Sequence, residues 1–210
     1  MEKKTVPKEV IRMQERLDTE TDPKRKRALA FSLCTMQGAS KSYSELKTRP
    51  PNITFEDKLT IYGTKRTVEL LPLAGHTASD VILYIPEEKI VFMSDLLFVN
   101  IHPYLASGSP EQWKNSLATV KSLGANIAVP GHGSVGKSAD ISKMLRYIQS
   151  LENIVDDMIK SGKSAEQVTS SLIPAPFDTW LCVEDFFTAN LKFLYKLAKS
   201  RKANQKTGKY

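Results

Sequence analysis

Three polar residues in this 210-residue chain each follow an apolar segment that has the pattern of a β-strand. His76 follows ELLPLAG, Asp95 closes KIVFMSD, and His132 follows NIAVPG. Strand ends in layered α/β domains gather ligands, because rigid strands can aim short side chains at one point. Imidazole and carboxylate are the usual nitrogen and oxygen ligands of zinc, with iron and manganese as alternatives. The three residues together therefore predict a metal site, although each one alone is more typical of an ordinary hydrogen-bonded turn.

Residues 131–138, GHGSVGKS, support a different interpretation of the same region. They fit the phosphate-binding pattern G-x-x-x-x-G-K-[ST] between a predicted strand and a predicted helix. Such a loop is normally followed by further parallel strands, one of which ends in an aspartate for magnesium. The 72 residues after Ser138 have a helical pattern throughout. Nucleotide binding through Gly131 to Ser138 is therefore kept only as a minor alternative.

The elements around these residues predict an α/β layered domain. Residues 6–46 have helical spacing, and Pro50 and Pro51 interrupt the chain. Four short strands follow, the last two as a hairpin through Glu87 and Glu88: ITFEDKLTIYG, RTVELLPLAG, DVILYIP and KIVFMSD. The remaining predicted elements are a helix from Ser109 to Gly124, the strand NIAVP, a helix over 138–160, a short helix SAEQVTSSL, and a last helix over about 183–200.

Composition and charge exclude several classes of protein. The hydrophobic fraction of 41% supports a packed core, and no apolar run has the length of a signal peptide or a membrane helix. We therefore expect a cytoplasmic protein. The net charge of +7 arises at the chain ends, and residues 192–210 hold seven Lys or Arg and no Asp or Glu. Aromatic residues do not interleave with these charges, so nucleic-acid binding is not favoured, and a solvated helix end is expected.

Two stretches resemble a known family: AGHTASDVILYIPEEKIVFMSDLLFVNIHPYL and NIAVPGHGSVG. They are similar to the second half of the metallo-beta-lactamase superfamily, most of all to its SoxH-like and quinoprotein-relay-like branch. The resemblance covers roughly residues 50–197. It implies an αββα sandwich with a zinc site at one edge. It also implies that His76 binds a first metal, Asp95 bridges two metals, and His132 binds the second. His102 and Tyr104 match a segment that lines the substrate side.

The chain departs from the family at the leading signature H-x-H-x-D-H, because no histidine precedes His76. We therefore expect an N-terminally truncated version of the sandwich. The expected organisation is a helical segment over 1–50, the carboxyl-terminal part of the metallo-beta-lactamase-like domain over 51–200, and a basic tail over 201–210.

The expected function is that of a metal-dependent hydrolase by family, with an incomplete site. One zinc ion or none, and weak or no turnover of a small-molecule substrate, are predicted for this chain. No catalytic residue is assigned. The alternative is a non-catalytic scaffold or pseudoenzyme. Absent leading strands would expose a sheet edge and an apolar face, so a homo-oligomer is also expected.

Overall fold

Helices α1 (Thr5–Thr19) and α2 (Pro23–Ser42) form the described part of an amino-terminal unit, residues 1–54. A computed structural model describes residues 5–42, 45, 47, 49–169 and 172–207 of the chain. Asp22 begins α2, since its Oδ1 accepts a hydrogen bond from the backbone N–H of Arg25 at 2.8 Å. Leu29 and Leu33, four residues apart on one helix face, are buried apolar residues of α2. The helical pattern predicted over 6–46 is therefore present as two helices, and residues 43, 44 and 46 lie outside the described part of the chain.

A six-stranded sheet organises the second unit, residues 55–210. Its strands lie side by side in chain order: β1 (Leu59–Tyr62), β2 (Thr67–Leu73), β3 (Asp80–Ile85), β4 (Ile90–Phe92), β5 (Ile127–Val129) and β6 (Gly136–Lys137). Neighbouring strands are antiparallel except β4 and β5, which are parallel. A parallel pair needs a crossover, and helix α3 (Pro110–Ser122) supplies it. The predicted α/β class is confirmed, and the described residues contribute one sheet.

Alternation along the strands places one face of the sheet in the core. Ile82, Tyr84, Val91 and Ala128 are buried in one cluster with apolar residues of the helices. The helices that supply those residues are α3, α4 (Ser138–Lys160) and α5 (Val183–Thr207). Trp113, Tyr147 and Phe187 are the largest of their fully buried side chains. The core therefore lies between one sheet face and these three helices.

Helix ends follow the local sequence at most positions. Ser109 is the N-cap of α3 and accepts from the backbone N–H of Gln112 at 3.3 Å, while Pro110 occupies the first turn. Gly124 follows the end of α3 with φ +68°, a conformation that glycine adopts without a steric cost. Helix α4 has the predicted bounds, Ser138–Lys160.

The prediction of a helix over SAEQVTSSL is corrected by the structure. The described residues there form a 3₁₀ turn, Ala165–Gln167, instead of an α-helix, and residues 170 and 171 lie outside the described part of the chain. The side chain of Gln167 accepts from the N–H of Ser164 at 2.8 Å, so local capping starts the turn. Pro174 and Pro176 follow closely, and proline disfavours helix at the preceding residue and removes a backbone donor.

None of the helices in the described part of the chain combines the length and the apolar character that crossing a bilayer requires.

Replacing Ser109 with Ala should lower the free energy of unfolding by about 1 kcal/mol, because the cap of α3 is lost. Urea denaturation measures the change. Thr119→Ala is the matched control, since the Thr119 hydroxyl donates to Asn115 O within the same helix and alanine is the better helix former. Equal losses in the two variants would contradict the capping role.

Candidate metal centre

Asp95 lies between two imidazole rings at the edge of the sheet. Nε2 of His132 is 3.4 Å from Oδ1 of Asp95, and Nε2 of His76 is 3.8 Å from Oδ2. Each ring thus faces a different oxygen of one carboxylate. The structure therefore brings together the three residues that the sequence patterns placed at three separate strand ends.

Parallel pairing of β4 and β5 explains why Asp95 and His132 meet. Phe92 pairs with Val129 in the ladder, so both strands end at the same edge. Each strand is followed within three residues by its polar side chain. Beyond the ladder, Phe98 and His132 form an isolated parallel bridge, and the N–H of Val99 donates to His132 O at 3.0 Å. The main chain around His132 is thereby held beside the segment that follows Asp95.

Close backbone approach is required beside Asp95. The N–H of Gly131 donates to Ser94 O at 2.7 Å, and a Cβ built on Gly131 would overlap Oδ1 of Asp95. Ser94 itself has φ +50°, an uncommon conformation for a residue with a side chain. Only glycine at position 131 leaves room for the carboxylate to face His132.

A short turn fixes the backbone at His76. The N–H of Thr77 donates to Oδ2 of Asp80 at 2.9 Å, and its hydroxyl donates to Oδ1 at 2.6 Å. Gly75 packs so tightly that a Cβ there would lie 2.6 Å from Cδ2 of Leu96. The residue before His76 is therefore held against the segment that carries Asp95.

The separations in the site match two ligands on one ion better than they match good hydrogen bonds. Ligand atoms about 2.0–2.2 Å from a tetrahedral zinc lie about 3.3 Å apart. Nδ1 of His76, which does not face Asp95, is buried and has no hydrogen-bond partner among the described residues. The donor types and spacings therefore suit a metal ion between His76 and Asp95, or one between His132 and Asp95. Among the described residues, no group of three or more His, Cys, Asp or Glu is arranged around one point for an ion.

His102, predicted to line the substrate side, lies in the core. Its side chain is fully buried, and both ring nitrogens have protein partners. Nδ1 is 2.9 Å from the hydroxyl of Tyr147, and Nε2 is 3.0 Å from the carbonyl oxygen of Phe177. Both ring nitrogens are therefore engaged within the protein, and the substrate role of His102 stays a prediction. The neighbouring Tyr104 is 43% exposed and contacts the ring of Phe186, and its substrate role stays a prediction.

The partners of His102 determine its protonation. A carbonyl oxygen only accepts, so Nε2 carries the proton and Nδ1 accepts from the hydroxyl of Tyr147. Asn190 completes the network, because its amide donates to Pro103 O at 2.7 Å and its Oδ1 accepts from Leu105 N at 2.9 Å. Burial lowers the pKa of His102 to about 4 and raises the pKa of Tyr147. The network is a neutral structural tie between the 100–105 segment and the helices.

The phosphate-binding interpretation of residues 131–138 loses support from the structure. Gly136 and Lys137 form strand β6, paired antiparallel with β5. The carboxylate of Asp140 accepts from Lys137 N at 2.9 Å and lies 2.8 Å from the position of a Cβ on Gly136. A negative side chain therefore occupies the start of α4, where a phosphate would have to bind. No strand follows α4 among the residues that the structure describes.

Phe98 and Trp113 are neighbours of the site that the sequence analysis did not single out. The ring of Phe98 stacks on His132 at 4.9 Å, and the ring of Trp113 meets His76 edge-on at 5.3 Å. Aromatic residues in apolar segments are more typical of a core, so their type alone carried no signal. The position of Phe98, three residues after Asp95, was the available hint.

Comparisons with known proteins agree on one family. The family model described as the metallo-beta-lactamase superfamily matches residues 2–132, a stretch that begins well before residue 50 and ends at His132. A Caenorhabditis elegans protein named Beta-lactamase-like protein 2 homolog is 30% identical over 111 residues, which are 50% of this chain and 34% of that protein. The match to this curated relative thus spans about a third of its length.

Two solved structures match parts of the chain at low identity. A metallo-beta-lactamase from Pontibacter korlensis is 23% identical with a TM-score of 0.45, over 54% of this chain and 62% of that one. A stereoselective inverting sec-alkylsulfatase from Pseudomonas sp. is 15% identical with a TM-score of 0.49, over 70% of this chain and 26% of that one.

The burial of His102 predicts a specific loss of stability in acid. Its pKa is lower in the folded than in the unfolded chain, so the unfolded state binds more protons below about pH 6.5. The free energy of unfolding should fall as the pH drops from about 6.5 to about 4, by about 3 kcal/mol from this group. Denaturation of wild type and His102→Gln across this range measures the difference, and the variant should lose less.

Nitrogen NMR of the wild-type ring tests the same point without a variant. At pH 5.5 His102 should still be neutral with the proton on Nε2, although a solvent-exposed imidazole would mostly be charged. A charged ring in the folded protein at that pH would contradict the structural role.

Proposed function

Because the chain belongs to the metallo-beta-lactamase superfamily, we propose that His76, Asp95 and His132 form part of a hydrolytic metal centre. The observation that carries the proposal is the placement of two Nε2 atoms on separate oxygens of one carboxylate, at 3.8 and 3.4 Å. Asp95 therefore presents one carboxylate oxygen to each imidazole.

Each side chain would contribute a separate property to the centre. A bound metal would lower the pKa of a water molecule to about 7 and supply hydroxide for attack on a carbonyl or phosphoryl group. Asp95 would contribute negative charge that favours a cation, and the imidazoles would contribute neutral nitrogen donors. The side chain of His132 is 56% exposed and that of His76 only 17%. A small-molecule substrate would therefore approach from the His132 side.

The same geometry limits the activity proposed for this chain. A closed zinc site has four protein ligands, and a catalytic one has about three around one ion. Here the donors form two pairs that share Asp95, and each pair offers only two donors to an ion. We therefore propose weak binding of zinc, or of iron or manganese in its place, and little hydrolysis by the chain alone. A non-catalytic scaffold is the alternative, and metal content separates the two.

Zinc binding tests the proposed centre. The wild type should bind about one zinc per chain, weakly, because about three ligands are the minimum for a stable site. Asp95→Asn should weaken binding at least about tenfold, since both ligand pairs lose their shared carboxylate. Competition with a chelating dye measures the affinity, and elemental analysis gives the stoichiometry.

The matched control is Asp156→Asn, which removes a carboxylate from an exposed position on α4. It should bind zinc as the wild type does. Equal zinc affinity in the Asp95 and Asp156 variants would exclude the proposed centre. Two tightly held ions per chain would exclude the proposed weakness.

A second copy of the chain is the partner that we propose for the open side of the sheet. The register places only apolar residues of β1 to β5 on the side of the sheet opposite the helices, called here the outer face. None of them belongs to the core cluster. Examples from the five strands are Ile61, Leu70, Val81, Phe92 and Ile127. A sheet that is apolar on both faces requires cover on both.

The dimensions of the outer face suit a two-fold dimer. Five strands at the usual spacing make it about 20 Å wide. Strands of three to seven residues at about 3.3 Å per residue make it roughly 15 Å long, so the sheet face supplies the apolar centre of an interface rather than its whole area. A uniformly apolar sheet face is also complementary to itself under two-fold symmetry. Val81, Phe92 and Ile127 are 39%, 42% and 40% exposed, so apolar area is available for burial.

Replacing Val81 with Lys should convert a dimer into a monomer, because a charge would be buried in the middle of the outer face. Light scattering after size-exclusion chromatography measures the mass. Val135→Lys is the control, since Val135 is 66% exposed and lies outside the sheet face. A wild-type monomer at about 10 µM would refute the dimer, since obligate interfaces persist well below that concentration.

A further inference from the structure

Four rings pack together around Asp95, and two of them carry no metal-binding atom. Phe98 stacks on His132 with a centroid distance of 4.9 Å and an interplanar angle of 15°. The same ring lies 5.7 Å from His76 in a tilted arrangement. Trp113 meets His76 edge-on at 5.3 Å and lies 6.4 Å from Phe98. Phe98 therefore contacts both imidazoles that face the carboxylate.

The phenylalanine and tryptophan rings differ in burial from the ring of His132. Phe98 is 7% exposed and Trp113 is fully buried, so the core holds both of them. The side chain of His132 is 56% exposed, and solvent surrounds the part of it that Phe98 does not cover. An exposed side chain with two free torsions samples several rotamers unless a neighbour removes that freedom. Stacking on a buried ring is the contact that restricts His132.

The two buried rings are themselves anchored to the segment that carries Asp95. Nε1 of Trp113 donates to Leu96 O at 2.9 Å. The Phe98–His132 bridge and the bond from Val99 N to His132 O align the main chains on either side of the stack. A displacement of Phe98 would thus require a shift of the backbone next to Asp95. The rings of Phe98 and Trp113, called here the bracket, are therefore fixed relative to the backbone that carries Asp95.

We propose that Phe98 and Trp113 are positioning residues that hold the imidazoles of His76 and His132 toward Asp95 before any metal binds. The proposal rests on the proposed metal centre for its consequence, which is tighter metal binding. Ligands that are already oriented lose less conformational freedom when an ion arrives. Groups next to ligands in metal sites commonly change affinity by about 10- to 100-fold. For Phe98, which contacts both imidazoles, we expect about a tenfold effect.

The first measurement uses the metal-free protein. NMR couplings of the His132 side chain should show one rotamer in the wild type and averaging over several in Phe98→Leu. Phe98→Tyr keeps the stacking ring and should restore the single rotamer. Phe187→Leu is the matched control, because Phe187 is fully buried and contacts His102 rather than the site. A single His132 rotamer in Phe98→Leu would overturn the proposal.

The second measurement is zinc affinity in the same four proteins. Phe98→Leu should bind zinc about tenfold more weakly than the wild type, while Phe98→Tyr and Phe187→Leu should bind nearly as the wild type does. Equal loss in Phe98→Leu and Phe187→Leu would show a general effect of core truncation and would overturn the positioning role. If the wild type binds no zinc, the proposed centre fails, and the rotamers of His132 still decide whether the bracket orients it.

Discussion

The parallel pairing of β4 and β5 is the constraint on which the candidate site depends. Antiparallel neighbours end at opposite edges of a sheet, whereas this pair ends at one edge and places Asp95 and His132 side by side. The crossover through α3 then returns Trp113 to the same edge. Gly131 admits the carboxylate, because any larger residue would overlap Oδ1 of Asp95. One pairing choice thus brings Asp95, His132 and Trp113 to the same edge of the sheet.

The three histidines of the chain show how the surroundings divide one residue type between two roles. His76 and His132 lie at the sheet edge, where each faces Asp95 with a nitrogen. His102 lies in the core, where Tyr147 and the carbonyl of Phe177 satisfy both of its nitrogens. Burial then keeps His102 neutral, and its network ties the 100–105 segment to the helices. Within the described residues, Nδ1 of His76 is left without a hydrogen-bond partner, whereas both ring nitrogens of His102 have one.

Membership in the metallo-beta-lactamase superfamily supports a hydrolase-like protein, and the proposed metal centre of this chain has a small donor set. Two ligand pairs share one carboxylate, and the described residues hold no complete set of three around a point. The rigidity with which the imidazoles are held and the number of donor atoms for a metal are independent properties. The bracket of Phe98 and Trp113 can orient the rings well even if the number of donors keeps metal affinity low. The apolar outer face is a further consequence of a sheet built to be covered on both sides.

Periodicity and strand-end chemistry in the sequence alone determined the α/β class, most helices and strands, and the identity of His76, Asp95 and His132 as the candidate ligands. These properties are local, since a helix cap such as Ser109 or an alternating strand depends on a few neighbouring residues. The tertiary structure alone decided that His102 belongs to the core, that Asp140 rather than a phosphate occupies the start of α4, and that Phe98 stacks on His132. The physical reason is distance along the chain. His102 is paired with a residue 45 positions away, and Phe98 with one 34 positions away, and no local pattern specifies such contacts.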